Sequence, residues 1–439
     1  MADKPDETVT VFRNVLIFDG TSESLSPPRD VHITGNRIAS IREPRSDRPP
    51  DSSTFTIDGA GRVLMPGLID AHAHVVFATV PVNVAMVSDM GYLSAHGLLN
   101  ARDTVMRGFT TIRDAGGPSF GIKQAIDEGH FLGPRIFPSG AFISQTSGHG
   151  DFRMPRDTPR GSVGYLSHTE LLGAAVIADG IPEVLRGVRE QLRSGASQIK
   201  MMAGGGVSSS YDPIDVTEFT EPELRAGVEA AENWGTYVMV HAYTSRAVKQ
   251  ALRAGVKSID HGQLIDESTV EMIAEADAWW SLQPFLDDQD AVPQASEEGR
   301  RKGLAVAAGT DRAYELAIKH RVNVAWGTDT LFDPALATRQ GAQLAKMARW
   351  FSPPEILRMA TSTNARLLAM SGNRNPYPGQ LGAIAEGALA DILLVDGNPL
   401  EDITLVADPE SSFAVIMKDG VVVKNSVPGS HITSQPNLN

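Results

Sequence analysis

Cysteine is absent from the 439-residue chain. That single absence excludes a disulfide scaffold, a cysteine zinc finger, a thiol nucleophile and an iron–sulfur cluster. A surplus of basic charge is missing too. With 39 Lys and Arg against 53 Asp and Glu, the net charge is −14, and no basic face is implied that would displace counterions from nucleic-acid phosphates. No apolar run approaches the roughly 18 residues of a transmembrane helix. The N-terminus, MADKPDETVTVFRNVLIFDG, carries mixed charge where a secretory signal has a basic segment and an apolar core. A cytoplasmic protein is the default that these absences leave, with neither nucleic acid nor membrane as partner. Internal repeats and low-complexity tracts are also lacking.

What is present is an ordinary globular composition, 42% hydrophobic and 21% charged, enough to bury a large core. The length fits about three average domains, or one α/β barrel of about 250 residues with a companion. With thiolates excluded, any metal must be held by carboxylates, Lys and the 11 His.

The texture of the chain changes twice. Short apolar runs at 9–12, 15–18, 31–33, 38–41 and 54–57 are separated by Gly, Asp, Asn and Pro, as in a β-rich segment. The stretch 43–53 is polar and Pro-rich and reads as a surface loop. From about residue 63, strand-like runs alternate with stretches of helical period: 93–107 precedes 110–113, 181–194 precedes 198–202, and 221–234 precedes 237–241. That alternation marks βα units and a parallel sheet. From about residue 379 short strands return, at 391–395, 414–418 and 421–423. Neither end has the apolar surface to fold alone, so the two are expected to meet in one small sheet domain. The polar tail after Val427 is expected to fray.

The histidines fall in telling places. His72 and His74 end an apolar run, and residues i and i+2 of a strand face the same side, as two ligands of one metal require. His241 and His261 each end a further strand-like run, and Asp329 ends the run 322–329. Strand C-termini are where α/β barrels place their chemistry. Singly, each residue has a plainer reading, a core histidine or an N-cap aspartate. Together they point to a metal site. Lys200 lies within another apolar run, where an ammonium is costly to bury; an ion pair with Asp or Glu is the plain explanation.

These segments resemble the amidohydrolase superfamily of metal-dependent hydrolases, and the resemblance spans nearly the whole chain. It is carried by RNVLIFDG (13–20), PGLIDAHAH (66–74), Lys200, His241, His261 and GTD (327–329). Toward the C-terminus GALADILLV (387–395), NPL (398–400) and KDG (418–420) continue it. Within the superfamily, GFTTIRDAG (108–116), SGAFISQTSGHGD (139–151) and QIKMMAGGGV (198–207) resemble the imidazolonepropionase-like branch, which holds proline dipeptidases, related carboxypeptidases and ochratoxin-degrading amidohydrolases.

The resemblance implies an α/β fold, a (β/α)8 TIM-like barrel over 63–379 with a small β-sandwich domain composed of 1–62 and 380–439. It implies two divalent metal ions, usually zinc. His72, His74 and Asp329 would hold one, His241 and His261 the other, with a carbamylated (N6-carboxy) Lys200 bridging them. All six positions are filled, which leaves no sign of a non-catalytic scaffold that has lost its metals. Asp329 would serve as general base and then acid. His149, in a Gly-rich polar loop, and Tyr243, two residues beyond His241, would contact the substrate, a His donor and a Tyr hydroxyl suiting the α-carboxylate of a C-terminal amino acid. The implied activity is hydrolysis of an amide bond to an amino acid, in an N-acyl amino acid, a dipeptide or an ochratoxin-like amide. The alternative is a cyclic amide or a xenobiotic urea or carbamate on the same centre. A homo-oligomer, up to an octamer, is implied as well. Three readings stay open: Arg113 with Asp114 as a structural pair, 75–90 as a pocket wall or a packing helix, and 283–300 as a lid or a plain loop.

Overall fold

The computed structural model describes residues 9–44, 54–154, 156–160, 164–209, 211–294 and 296–428. Most of the expected surface loop at 43–53 and nearly all of the tail lie outside these residues.

The β-rich opening forms β1 (Val9–Ile17), β2 (Arg29–Thr34), β3 (Arg37–Arg42), β4 (Thr54–Asp58) and β5 (Val63–Pro66). β1 serves two partners in succession: Val9–Arg13 run parallel to β4, and Leu16–Ile17 run parallel to β5. The switch falls at Asn14, whose φ of +51° coincides with the register shift against β2 between Phe12 and Val15. A bulge of this kind bends a strand and re-aims it.

Next come the buried strands β6 (Leu68–Ala73), β7 (Phe109–Asp114), β8 (Arg135–Pro138), β9 (Phe142–Ser144), β10 (Ala175–Ile177), β11 (Ile199–Met202), β12 (Val238–Thr244), β13 (Ser258–Leu264), β14 (Trp279–Leu282) and β15 (Asn323–Trp326). All pair in parallel, as a three-stranded sheet β6-β7-β8 and a seven-stranded sheet β10-β9-β11-β12-β13-β14-β15. Their near-continuous burial is what a parallel sheet covered by helices requires. The helices between them include Met90–Met106, Ile181–Ser194 and Glu221–Glu232, close to the expected spans. The last of these opens with a Thr220–Glu223 capping box, and Ile181–Ser194 ends on Gly195 at φ +104°.

The two parallel sheets meet on both sides, in a TIM-barrel-type arrangement. On one side the chain passes from β8 to β9 through three residues. On the other, Asn364 joins β6 to β15 with its side chain: Nδ2 donates to the carbonyls of Ile69 and Trp326, both at 2.8 Å, and Oδ1 accepts from Trp326 N at 3.1 Å. Asp329 N donates to His72 O at 2.8 Å just beyond.

The chain closes with β16 (Ile392–Val395), β17 (Phe413–Lys418) and β18 (Val421–Asn425). β16 pairs antiparallel with β5 and β17, so both ends of the chain share one eight-stranded sheet ordered β18-β17-β16-β5-β1-β2-β3, with β4 on β1. Its core holds Phe12, Ile33, Ile57, Leu64, Leu394 and Met417. Arg135 of β8 ties this sheet to the parallel strands, bonding Asp391 at 2.7 Å through Nε and also Asp419. Burial alone would lower the Arg135 pKa, but these two carboxylates raise it.

The two open segments resolve differently. Residues 75–90 are mostly turns with one short helix, Val82–Ala85, and Val75, Val76, Phe77 and Val80 are buried. From Gln283 to Gln294 the chain is irregular, and the long helix Glu297–His320 then begins at the Ser296 cap; residue 295 lies outside the described residues. Among those residues no helix is long and apolar enough to cross a membrane.

Candidate metal centre

The six residues expected to hold metal lie on or just beyond five strands, and the fold brings their side chains together. β6 ends at Ala73, which puts His72 and His74 on either side of its last residue. His74 Nδ1 lies 3.0 Å from Gly116 O, which turns Nε2 inward, 3.2 Å from Asp329 Oδ1. His72 Nε2 reaches the same oxygen at 3.1 Å. Donor atoms of His72, His261 and Asp329 all lie within 4.8 Å of one another. The rings continue the cluster: His72 and His261 centroids are 5.1 Å apart, and those of His241 and His261 are 4.5 Å apart. Lys200, on β11, is 2% exposed and bonds Asp260 Oδ2 through Nζ at 2.8 Å. The plain ion pair anticipated for it is therefore present.

Two of these residues hold left-handed backbone, His261 at φ +78° and Asp329 at φ +50°. Such conformations cost about 1–3 kcal/mol each outside glycine and gather at functional sites. Neighbours hold them: Trp280 Nε1 donates to His261 O at 2.6 Å, and Asp329 N is bonded as above. The turn at His261 has a second effect. In a regular strand Asp260 and His261 would face opposite sides, yet both join this cluster.

The electrostatics suit cation binding. Burial pushes the His261 imidazole down to about 3 and His241 well below its usual value, so both are neutral donors at physiological pH. Burial would raise Asp329, but His72, His74 and His261 around it hold it well below the ordinary carboxylate range. Burial likewise lowers Lys200 against the opposing pull of Asp260. His72 Nδ1 is buried, 3.3 Å from Asp260 Oδ2 and without a well-aligned hydrogen bond. Neutral imidazoles with a carboxylate and no thiolate form a donor set that fits zinc or a similar divalent ion.

Beneath the candidate ligands lies a layer that sequence reading missed. Asp260 accepts from Lys200 and from Arg113 Nη2, the latter at 2.9 Å. Arg113 does not pair with Asp114. It is fully buried and reaches Ala71 O, Tyr237 Oη, Ser258 Oγ and Ser281 Oγ as well, which lie on or beside four other strands. Asp114 instead accepts from Val75 N and Ser119 Oγ. Asp70 accepts from His72 N, Thr328 N, Thr328 Oγ1 and Gln340 Nε2, and so locks the His72 strand to the turn that carries Asp329. Gln283 Oε1 lies 2.7 Å from His261 Nδ1. Asp70 and Asp260 sit two and one residues before a candidate ligand; a charge in an otherwise apolar run was the available signal.

The expected substrate contacts flank this cluster. The His149 ring stacks on His241 at 4.1 Å, and Tyr243 lies 5.0 Å from His241 and 5.1 Å from His261. Phe285 stands 6.0 Å from His261.

Gly327 sets the closeness of the seam, since a Cβ there would fall 2.4 Å from His72 N and 2.5 Å from His72 Cβ. Gly327→Ala is expected to cost about 1–3 kcal/mol, the range for overpacking a rigid site, and to part Asp329 from His72. Metal content and melting temperature check this: parental values of both would refute the tight seam.

Comparison with known proteins gives the family of the chain. The profile of the amidohydrolase family matches residues 63–429. Ochratoxinase from Aspergillus niger is 34% identical over 359 residues, covering 80% of this chain and 73% of its own length. Imidazolonepropionase from Rubrobacter xylanophilus is 23% identical over 417 residues, covering 90% and 91%. Among solved structures, a prolidase complexed with N-methylphosphonate-L-proline is 35% identical, with a TM-score of 0.86 over 95% of this chain and all (100%) of that one.

Proposed function

The chain belongs to the amidohydrolase family and is a hydrolase of carbon–nitrogen bonds, and from that premise we propose that it cleaves an amide bond to an amino acid. The substrate class is an N-acyl amino acid, a dipeptide or an ochratoxin-like amide. The observation that carries this reading is the convergence of His72, His74, His241, His261 and Asp329 at strand ends, with His149 and Tyr243 beside them.

We assign His72, His74 and Asp329 to one divalent ion and His241 and His261 to a second, with a carbamylated Lys200 between and zinc as the expected metal. Ions held there would polarise the scissile carbonyl and lower the pKa of a water toward roughly 7. Asp329 then handles the proton. His72 and His74 converge on its Oδ1, while Oδ2 is 3.9 Å from His261 Nδ1 and less engaged. Ionised Oδ2 accepts a proton from the attacking water and delivers it to the leaving nitrogen, as general base and then acid. His149 and Tyr243 bind the carboxylate of the amino-acid portion and orient the amide.

We also infer the division of the chain. Residues 63–379 carry a (β/α)8 barrel with β6, β7, β8 with β9, and β11–β15 as its staves, and 1–62 with 380–439 form a β-sandwich, which β5 at the start of the barrel segment joins by pairing with β1 and β16. A homo-oligomer is part of the same proposal.

The test is a panel of N-acyl amino acids, Xaa-Pro and other dipeptides, ochratoxin-type amides, cyclic amides, aryl ureas and carbamates, assayed with metal-loaded enzyme whose metal content is measured. Hydrolysis of amino-acid amides is expected. A preference for cyclic amides, ureas or carbamates overturns the substrate class, and metal-free protein of full activity overturns the centre itself.

A further inference from the structure

The ring of His149 is fixed from outside the ligand cluster. Its Nδ1 lies 2.6 Å from Ser209 Oγ and 3.2 Å from Asp212 Oδ2, both on the segment after β11. Asp212 is 2% exposed, and its Oδ2 also accepts the Gly206 backbone N–H at 2.6 Å. A buried carboxylate bonded in this way is held in place, because leaving its partners means losing charge-assisted hydrogen bonds without regaining water. The segment is itself pinned. Lys302, buried on the helix Glu297–His320, donates Nζ to the carbonyls of Gly206 at 3.0 Å, Ser209 at 3.2 Å and Asp212 at 2.6 Å.

Gly206 completes the seat, since a Cβ there would fall 1.9 Å from His149 Cε1 and 2.1 Å from Nδ1. The ring also stacks on His241, tilted by 18°. Its position and its Nδ1 are therefore committed to the protein. Among the described residues nothing bonds Nε2.

We propose that Asp212 is a positioning residue for substrate: it accepts Nδ1–H of the His149 imidazolium and fixes the rotation of the ring, so that Nε2–H is donated to the carboxylate of the amino-acid portion. This rests on the amino-acid-amide reading above. A residue acting in this way governs recognition of the carboxylate and leaves bond breaking alone.

The experiment takes the best substrate of the panel and its carboxamide analogue, in which the terminal carboxylate is a neutral amide. Metal-loaded parent, Asp212→Ala and Asp212→Asn are compared. The parent is expected to prefer the carboxylate form in kcat/KM. Asp212→Ala should raise KM for that form about tenfold or more, the scale of one hydrogen bond to a charged group. It should keep kcat within about threefold, retain parental metal content, and lose the preference over the carboxamide. Asp212→Asn, which keeps an acceptor beside Nδ1, should recover most of the KM.

A parent without the preference overturns the substrate reading. A parent with the preference that Asp212→Ala also retains overturns the positioning role and leaves that reading standing. Should the Ala variant fail to fold, Gly206→Ala carries the same test, because it displaces the ring with Asp212 intact; an unchanged KM there overturns the proposal.

Discussion

Asp329→Asn is expected to lower kcat by about 10³–10⁴-fold, the upper end of what a positioned general acid–base contributes, while metal content stays near the parental value. The separation of these two effects follows from the geometry. Asn keeps an oxygen where His72 and His74 converge, at 3.1 and 3.2 Å from Oδ1 in the parent, and its backbone bond to His72 O is unaffected. What it lacks is a carboxylate that can take up a proton. In the parent, the surrounding imidazoles hold that carboxylate ionised against the opposing effect of burial. Steady-state kinetics with metal analysis on the same preparations checks the prediction. Activity near the parental level would remove Asp329 from proton transfer; loss of metal in parallel with activity would make it a ligand alone.

Arg113→Met is expected to destabilise the fold by about 3–5 kcal/mol, the cost of removing one partner from a buried ion pair. Asp260 is fully buried, and the Arg113 guanidinium, with Lys200 in its unmodified ammonium form, holds its charge well below the usual carboxylate range against the effect of burial. Without the guanidinium, Ala71 O also loses a buried donor, and Tyr237, Ser258 and Ser281 lose a shared partner. A lower urea midpoint reads this out. Arg113→Lys should fall between, because an ammonium is a point charge and cannot span the five acceptors a planar fork reaches. Arg102, half-exposed beside Asp103, is the control, and Arg102→Met should change stability by less than about 1 kcal/mol. A parental midpoint for Arg113→Met would mean that the buried network contributes nothing to stability.

The residues around the site differ in how legible they are. His72 and His74 are legible because a period of two puts them on one face whatever the rest of the chain does. His241, His261 and Asp329 are legible as the ends of apolar runs, and Lys200 as a charge inside one. Arg113 and Asp114, adjacent and opposite in charge, invite a pairing that the strand forbids: neighbours on a strand point apart, so Arg113 meets Asp260, 147 positions away. Asp260 escapes notice for the complementary reason, since only the left-handed turn at His261 brings both residues into one cluster.

The sequence by itself determined which side chains are available and on what kind of element each sits: a thiolate-free set of candidate donors, strand ends, a parallel α/β middle and β-rich ends too poor in apolar surface to stand alone. Those properties are local, set by residue chemistry and by periods of two and 3.6 residues. The tertiary structure decided which charges meet. It placed the Asp260–Arg113–Lys200 network beneath the candidate ligands, Asp70 across the seam, and the pinned Asp212 behind His149. Such contacts join residues that are distant along the chain, and their strength comes from burial, which only the packed fold supplies.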